Sequence, residues 1–583
     1  MKKNIFYGIM MVAAGVLSAT SCTDFSDYND VKQDATPSAN QTLWENISSD
    51  SELTHFASLV KKAGYDKILN SANNYTVWAP VDSKLDLSQY ENLDSAQLVL
   101  QFVKNHVANY SYVVSGAWDE PKRVNMQNNK SYNFVNNGIC SFDDINVLAK
   151  NVASSNGVMH KIDGVAKYYP NLSAFINDTA NANVLGIDSL SAYYRKYNVS
   201  YLDKDNSVIG PIVDGKQTYI DSVMVNYNLL DSKFRAYAND EDSSYTMLIP
   251  TNEVWKSELA KGLVYYNFNA KIPYRAEVNN NIADQFYTVN NIEYLKDSLV
   301  KENIYRSLLF SNTDIYNRWL VGDKTVPTDT LRSVGYRASG YKYSNPQEML
   351  GHASYEEELS NGQVKVINAF AAHPWEVYSR EMTIDAYSNM LKVRNGTGKR
   401  QTYIVHGRNN TSATYRYLHV EPSGTTSPEL EVSLPNVKSD TYNVYCVFIP
   451  AVSTVSGRDD ERPNQYKISM YYARNNDTKT TQWRFSADGV ENPSTDSKQA
   501  SYIIDNAVEN HLDENRMLIP DTVLVGKMTF PVSYAGTDIG PSIYIKVPFM
   551  TSAVRDQYNR EIRLQSVILR PAAKDEYEAT KED

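Results

Sequence analysis

Two stretches of this chain, 170 residues apart, carry nearly the same phrase: Tyr75-Thr76-Val77-Trp78-Ala79-Pro80-Val81-Asp82 and Tyr245-Thr246-Met247-Leu248-Ile249-Pro250-Thr251-Asn252. Each reads as an apolar strand stopped by a proline, which has no N–H to extend a ladder, and then a polar turn that can start a helix. Each is answered downstream by an Asn-Gly turn opening an alternating strand, Asn156-Gly157-Val158-Met159-His160-Lys161-Ile162-Asp163 and Asn361-Gly362-Gln363-Val364-Lys365-Val366-Ile367-Asn368. Asn-Gly ahead of period-two alternation is a hairpin signal in its own right. An internal repeat constrains the fold strongly, because both copies must bury one pattern in one way. The copies differ in two respects. Lys365 stands where the first has His160, and 111 residues separate Pro250 from Asn361 against 76 between Pro80 and Asn156. The extra residues are assigned to 262–300, a Tyr/Asn-rich and weakly periodic stretch; inserted loops lie on the surface and often carry function.

Strand-Pro-turn followed by Asn-Gly-strand-Ile-Asp resembles the two signature segments of the fasciclin (FAS1) domain, and Phe102-Val103-Lys104-Asn105-His106-Val107 stands where that family carries its Tyr-His-type segment. The resemblance implies a wedge of β-strands flanked by helices, built twice, over residues 43–170 and, with the insertion, over 171–375. It also implies an extracellular adhesion or interaction module with no shared catalytic mechanism. Independently of the resemblance, Leu43, Ile47, Leu53, Phe56, Leu59 and Val60 have helical spacing across Leu43–Leu69, with Gly64 near the end. His106 and His160 match positions where the family often has histidine. They are expected to be satisfied, partly buried imidazoles that hold the wedge together and not metal ligands, since no metal-type His or Cys spacing surrounds them.

From about residue 376 the pattern changes to short alternating strands: Val444, Cys446 and Phe448; Tyr466, Ile468, Met470 and Tyr472; Trp483 and Phe485; Ile543, Ile545, Val547 and Phe549. That spacing predicts an antiparallel, jelly-roll-like β-sandwich over 376–583, making the chain α+β followed by β. Its inferred outward face would present Tyr471, Arg484, Tyr544, Lys546, Arg563 and Gln565, a set suited to a sugar, whose C–H faces stack on aromatic rings while its hydroxyls take polar partners. An ordinary solvated face is the competing reading. The acidic tail Lys574–Asp583 is expected to fray.

Where the chain works is read from its start. Met1-Lys2-Lys3, the apolar run Ile5–Leu17 and Ser18-Ala19-Thr20-Ser21-Cys22 form a secretory signal, too short to span a bilayer. The run into Cys22 resembles a lipoprotein signal. Residues 1–21 are then a leader, Cys22 is the acylated first residue, and 22–42 form an acidic tether of the kind that sends some lipoproteins to the outer cell face. Only Cys140 and Cys446 remain, too few for a disulfide scaffold, and two buried thiols are expected. A net charge of −11 without a basic cluster disfavours nucleic acid as a partner. No nucleophile elbow, phosphate loop or zinc-protease motif is present, and Asp143-Asp144 and Asp459-Asp460-Glu461 lack the spacing of a calcium loop. The sequence therefore points to a non-enzymatic, lipid-anchored protein of the outer-membrane surface, with neither cofactor nor metal. It would serve a TonB-dependent transporter, with companion surface lipoproteins, in the uptake of a polysaccharide or peptide. The alternatives are an adhesin for host matrix, mucin or neighbouring cells, and a purely structural lipoprotein.

Overall fold

The computed structural model describes residues 37–278, 281–335, 340–406, 412–451, 461–474, 476–485, 491–493, 501–514 and 519–582. The leader 1–21, Cys22, most of the tether and Asp459-Asp460 lie outside them. The chain divides into two compact units. The first holds residues up to Ala182, Ser191–Tyr245 and Glu357–Val364; the second holds Asn183–Leu190, Thr246–Glu356 and Lys365 onward. The segment 171–375 is thus shared between the units.

In the first unit the helical spacing over Leu43–Leu69 is realised as three helices, Leu43–Ser49, Thr54–Lys62 and Asp66–Leu69. Local polar groups break the run. Thr42 and Glu45 form a capping box at the start, Asp50 ends the first helix in extended backbone, and the Asp82 carboxylate accepts from the amides of Thr54 at 3.1 Å and His55 at 2.8 Å. The apolar face survives the breaks, for Leu43, Ile47, Leu53, Phe56 and Val60 are fully buried.

These helices cover a seven-stranded sheet of β1 (Tyr75–Pro80), β2 (Val107–Asn109), β3 (Lys122–Asn125), β4 (Ser131–Asn136), β5 (Cys140–Phe142), β6 (Ile145–Ser154) and β7 (Gly157–Ile162), in the order β2-β1-β7-β6-β5-β4-β3. Only β1 and β7 pair in parallel, and β1 is buried at every residue, as a strand covered on both faces must be. Trp78 faces an aromatic cluster, stacked on Phe142 at 4.5 Å and edge-on to Phe134 at 5.4 Å.

Asn156 ties these pieces together. Its Oδ1 accepts from Leu43 N at 2.8 Å, while its Nδ2 donates to Leu69 O at 2.9 Å and Ser71 O at 2.6 Å. Gly157 follows at φ +148°, where a Cβ would stand 2.0 Å from Tyr75 O; no other residue fits. The second copy rebuilds this frame. Asn361 Oδ1 accepts from Leu172 N at 2.8 Å, its Nδ2 donates to Ala238 O and Asp240 O, and a Cβ on Gly362 would meet Tyr245 O at 1.8 Å. The first unit also contains a long antiparallel hairpin, β8 (Asn198–Val213) with β9 (Lys216–Asn228), which the sequence pattern did not predict.

Strand β10 (Tyr245–Pro250) is formed by the repeated phrase, the second unit taking it from Thr246 onward, and Thr251 caps the helix Asn252–Leu263 that follows. The interval assigned to the insertion forms a second hairpin, β11 (Lys271–Val278) with β12 (Asn281–Thr288), and the start of a helix, Ile292–Leu308. Beyond it lie two antiparallel sheets. One has the order Thr397–His406, Ser412–Glu421, Ile562–Pro571, Thr441–Phe448, Asp521–Thr529, with Met382–Asp385 also paired to Ile562–Pro571. The other has the order Leu391–Asn395, Glu429–Ser433, Ser542–Lys546, Asn464–Tyr472, Thr481–Phe485, Glu491–Pro493, with Tyr502–Ile504 beside Asn464–Tyr472. Side chains of the two sheets meet, as where Phe448 stacks on Tyr466 at 4.8 Å.

Two expectations fail here. Phe549 lies beyond the end of its strand and is 85% exposed. The acidic tail does not fray: Ala572–Glu582 is a helix, held by Asp575, which accepts from Asn443 and from Tyr445 at 2.8 Å and pairs with Arg570 at 3.3 Å. Alternation could not show that strand residues would supply partners for a tail carboxylate. Cys140 and Cys446 are free and buried. Among the described residues no helix is long and apolar enough to cross a membrane.

Candidate functional site

The six residues expected to share one outward face are divided between the two sheets of the second unit. Tyr471, Arg484, Tyr544 and Lys546 lie on one; Arg563 and Gln565 lie on Ile562–Pro571 of the other. Tyr471 and Tyr544 come together on neighbouring strands, their rings edge-to-face with centroids 5.0 Å apart. Lys546 is exposed and pairs with Glu429 at 3.6 Å. Arg484 pairs through its backbone with Ser469 and Asn492.

This tyrosine pair is not an open platform. Arg275, from hairpin β11–β12, lays its guanidinium 4.1 Å from the Tyr471 ring centre and 5.8 Å from that of Tyr544, which is buried. A guanidinium over a tyrosine face is worth about 0.5–2 kcal/mol, more as water is excluded. Burial, with the Glu431 carboxylate next, pushes the Tyr544 hydroxyl above its usual range. Glu431 pairs with Arg394, which reaches Glu277 of the hairpin at 3.0 Å, and Asp284 of the hairpin accepts from Thr480 N at 3.3 Å. The hairpin's own arginine thus occupies the position a stacking ligand would take. Sequence reasoning missed Arg275; the available signal was its place among tyrosines in the stretch already marked as inserted.

Arg563 and Gln565 sit in a different setting. Arg563 is buried and pairs with Glu561, whose carboxylate also meets His419 Nε2 at 3.0 Å. His419, Glu421 and Glu561 bring their ligand atoms within 4.8 Å of one another. A cation placed there would compete with the guanidinium already neutralising Glu561, so the cluster is an ion-pair network.

His106 and His160 are both fully buried and fully used. His106 Nδ1 donates to Phe102 O at 2.8 Å and its Nε2 accepts from Ala166 N at 3.1 Å. His160 Nε2 donates to Tyr112 O at 2.9 Å and its Nδ1 accepts from Asn151 N at 3.4 Å. Burial lowers both pKa values to about 4, so the rings are neutral and have no nitrogen left for a metal. Their task is to join the helix–strand connection and the β6 bulge to the core.

The model of the fasciclin domain family matches residues 51–167. No curated protein matches the chain. Among solved structures, a FAS1 domain pair from the insect cell adhesion molecule fasciclin I is 14% identical, with 57% of this chain and 99% of that one covered at a TM-score of 0.20. A Podospora anserina GH26-CBM35 β-(1,4)-mannanase is 10% identical, with 33% and 28% covered at 0.17. A carbohydrate-binding module, CBM28, specific for non-crystalline cellulose is 12% identical, with 29% and 76% covered at 0.13. The chain spans under a third of the mannanase's length, and none of these superpositions is close. Residues 51–167 are a fasciclin domain.

Proposed function

We propose that this chain is a lipid-anchored binding protein of the outer-membrane surface, held by an acylated Cys22. In this reading it is not an enzyme, and it acts as an accessory of a TonB-dependent transporter in the uptake of a glycan or peptide. Two fasciclin-like modules, the second centred on Asn361, form its body, and the two C-terminal sheets are a β-sandwich. The observation that carries the reading is the duplicated frame. Asn156, inside the matched fasciclin domain, and Asn361 make the same set of three hydrogen bonds, one from a helix N-terminus and two to carbonyls shortly ahead of strands β1 and β10 respectively. Paired interaction modules behind an export signal suit recognition at the cell exterior better than chemistry.

The test is purification of the tagged, lipidated protein from mildly solubilised outer membranes. Recovery with a TonB-dependent transporter at near-equal amounts supports the accessory role. Recovery alone, with the protein still on the cell surface, refutes it and favours the second reading, an adhesin, to which the fasciclin match lends weight. Cys22→Ser should release the chain from the membrane fraction; retention would refute the anchor.

A further inference from the structure

A cleft of about 420 Å³ opens in the first unit, where β3, β4 and the turn at Asp143 meet the segments that carry Glu241 and Ser360. Its floor is ordered. Lys130, with only 6% of its side chain exposed, donates to Glu241 Oε1 at 2.7 Å and to Ser360 Oγ at 2.8 Å. Glu241 Oε1 takes a further bond from Asn171 Nδ2 at 2.8 Å. At the rim stand Arg123, paired with Asp242 at 3.0 Å, Asp143 in a left-handed turn at φ +53°, and Tyr169, 39% exposed; Lys167, whose Nζ lies over the Tyr169 ring at 4.5 Å, does not line the cleft, whereas the tyrosine does. Residues of both repeats build the site, so it exists only when the repeats are paired.

The lining narrows the ligand. Arg123 and Lys130 are balanced by Asp143 and Glu241, so a phosphate or carboxylate would meet as much repulsion as attraction. An apolar molecule would strip water from paired charges and gain little in return. A polyhydroxylated ring fits both facts. Each hydroxyl donates and accepts, matching a lining that offers both cationic donors and carboxylates, and the C–H face of a pyranose suits the tyrosine at the rim. The volume falls in the range of small-molecule sites, about 300–1,000 Å³.

We propose that this cleft binds a neutral saccharide, with Tyr169 as the apolar platform, Arg123 and Asp143 as rim partners for hydroxyls, and Lys130, Glu241 and Ser360 as the ordered floor. The assignment deepens the binding half of the reading above and is independent of the anchor and the transporter.

The experiment is saturation-transfer NMR on the full mature chain with glucose, galactose, mannose, N-acetylglucosamine, maltose, cellobiose and lactose. At least one sugar should receive transfer at its ring C–H protons. Tyr169→Ala should weaken that binding at least about tenfold at unchanged thermal stability, while Tyr294→Ala, at a 72% exposed tyrosine of the second unit, should leave it intact. Affinity should hold when salt rises about tenfold, since a neutral ligand releases no counterions. Absence of transfer from every sugar, equal binding by the Tyr169 variant, or salt-sensitive binding of oligolysine or oligoglutamate in place of sugars would each overturn the proposal. A silent cleft in a protein that still co-purifies with a transporter would remove this site alone; sugar binding without a transporter would keep the site and remove the accessory role.

Discussion

Mild acid should loosen the fasciclin domain at residues 51–167, and the cause should be two imidazoles. His106 and His160 each use one nitrogen as donor and the other as acceptor, so a second ring proton would point at the Ala166 or Asn151 amide. Both pKa values lie at about 4 in the folded chain, lowered by burial, against 6.5 for a free histidine. Well above pH 6.5 neither state is protonated and the rings add no pH dependence. Below it the unfolded chain takes up a proton on each ring that the folded chain refuses until about pH 4, and stability falls across that window. At pH 5 the deficit is about 1.5 pH units per ring, or about 2 kcal/mol each and about 4 kcal/mol together. The Asp82 carboxyl, which burial tends to raise but bonds from Thr54 and His55 hold below its usual range, would release stability only in stronger acid. Hydrogen exchange of β1 and β7, corrected for intrinsic rates, reads the opening free energy at pH 7.5 and 5.0. His106→Asn and His160→Gln, which replace the ring donors with amides that do not titrate, should each remove about half of the pH-dependent loss. Ring resonances titrating near pH 6.5, or variants as acid-sensitive as the parent, would refute the reasoning.

Asn361→Ala should cost roughly 3 kcal/mol, about one for each of its three hydrogen bonds, and Asn361→Asp at least as much, because it sets a buried carboxylate against two carbonyl oxygens; denaturant unfolding followed by exchange near Leu172 reads both. Gly157→Ala should destabilise by more than about 4 kcal/mol, seen as lost soluble yield or rapid proteolysis, because Tyr75 O lies 2.0 Å from the new carbon. Gly351→Ala, with open space around it at a helix end, should be nearly neutral, and equal effects would contradict the steric account. Arg275→Ala should uncover the Tyr471 ring, raising its nitration by tetranitromethane in peptide maps and lowering stability by about 1–2 kcal/mol; unchanged reactivity would show that the arginine does not cover it.

The repeated phrases were legible because they are short, local and steric. A strand ended by proline and a glycine pressed against a carbonyl leave a mark at fixed positions, so β1, β7, β10 and the Asn-Gly turns follow from the sequence. The apolar residues of Leu43–Leu69 were legible as a buried face, but the two helix breaks were not, because the Asp82 cap arrives from 28 residues away. Hairpin β8–β9 left no mark in the repeat because it lengthens the interval before Tyr245 and not the one between Pro250 and Asn361. Alternation placed Tyr466, Ile468 and Met470 inside correctly, yet it assigns only two faces to a strand. It cannot tell an outer face open to water from one covered by a distant hairpin, which is why Tyr544 read as exposed. The cleft had no sequence signature, since Lys130 and Ser360 lie 230 residues apart.

Asn-Gly is also the dipeptide at which flexible chains shed a side-chain amide most readily, when the glycine nitrogen attacks the asparagine carbonyl carbon and closes a succinimide. At Asn156 both ends of the carboxamide are held, Oδ1 by Leu43 N and Nδ2 by Leu69 O and Ser71 O, and at Asn361 the same restraint recurs. The group cannot swing into the attack geometry while the fold persists. Folding therefore shelters its own keystones from chemical ageing. A chain held unfolded has no such shelter, and each amide lost there would replace a two-bond donor with a carboxylate facing two carbonyls, damage that refolding cannot reverse.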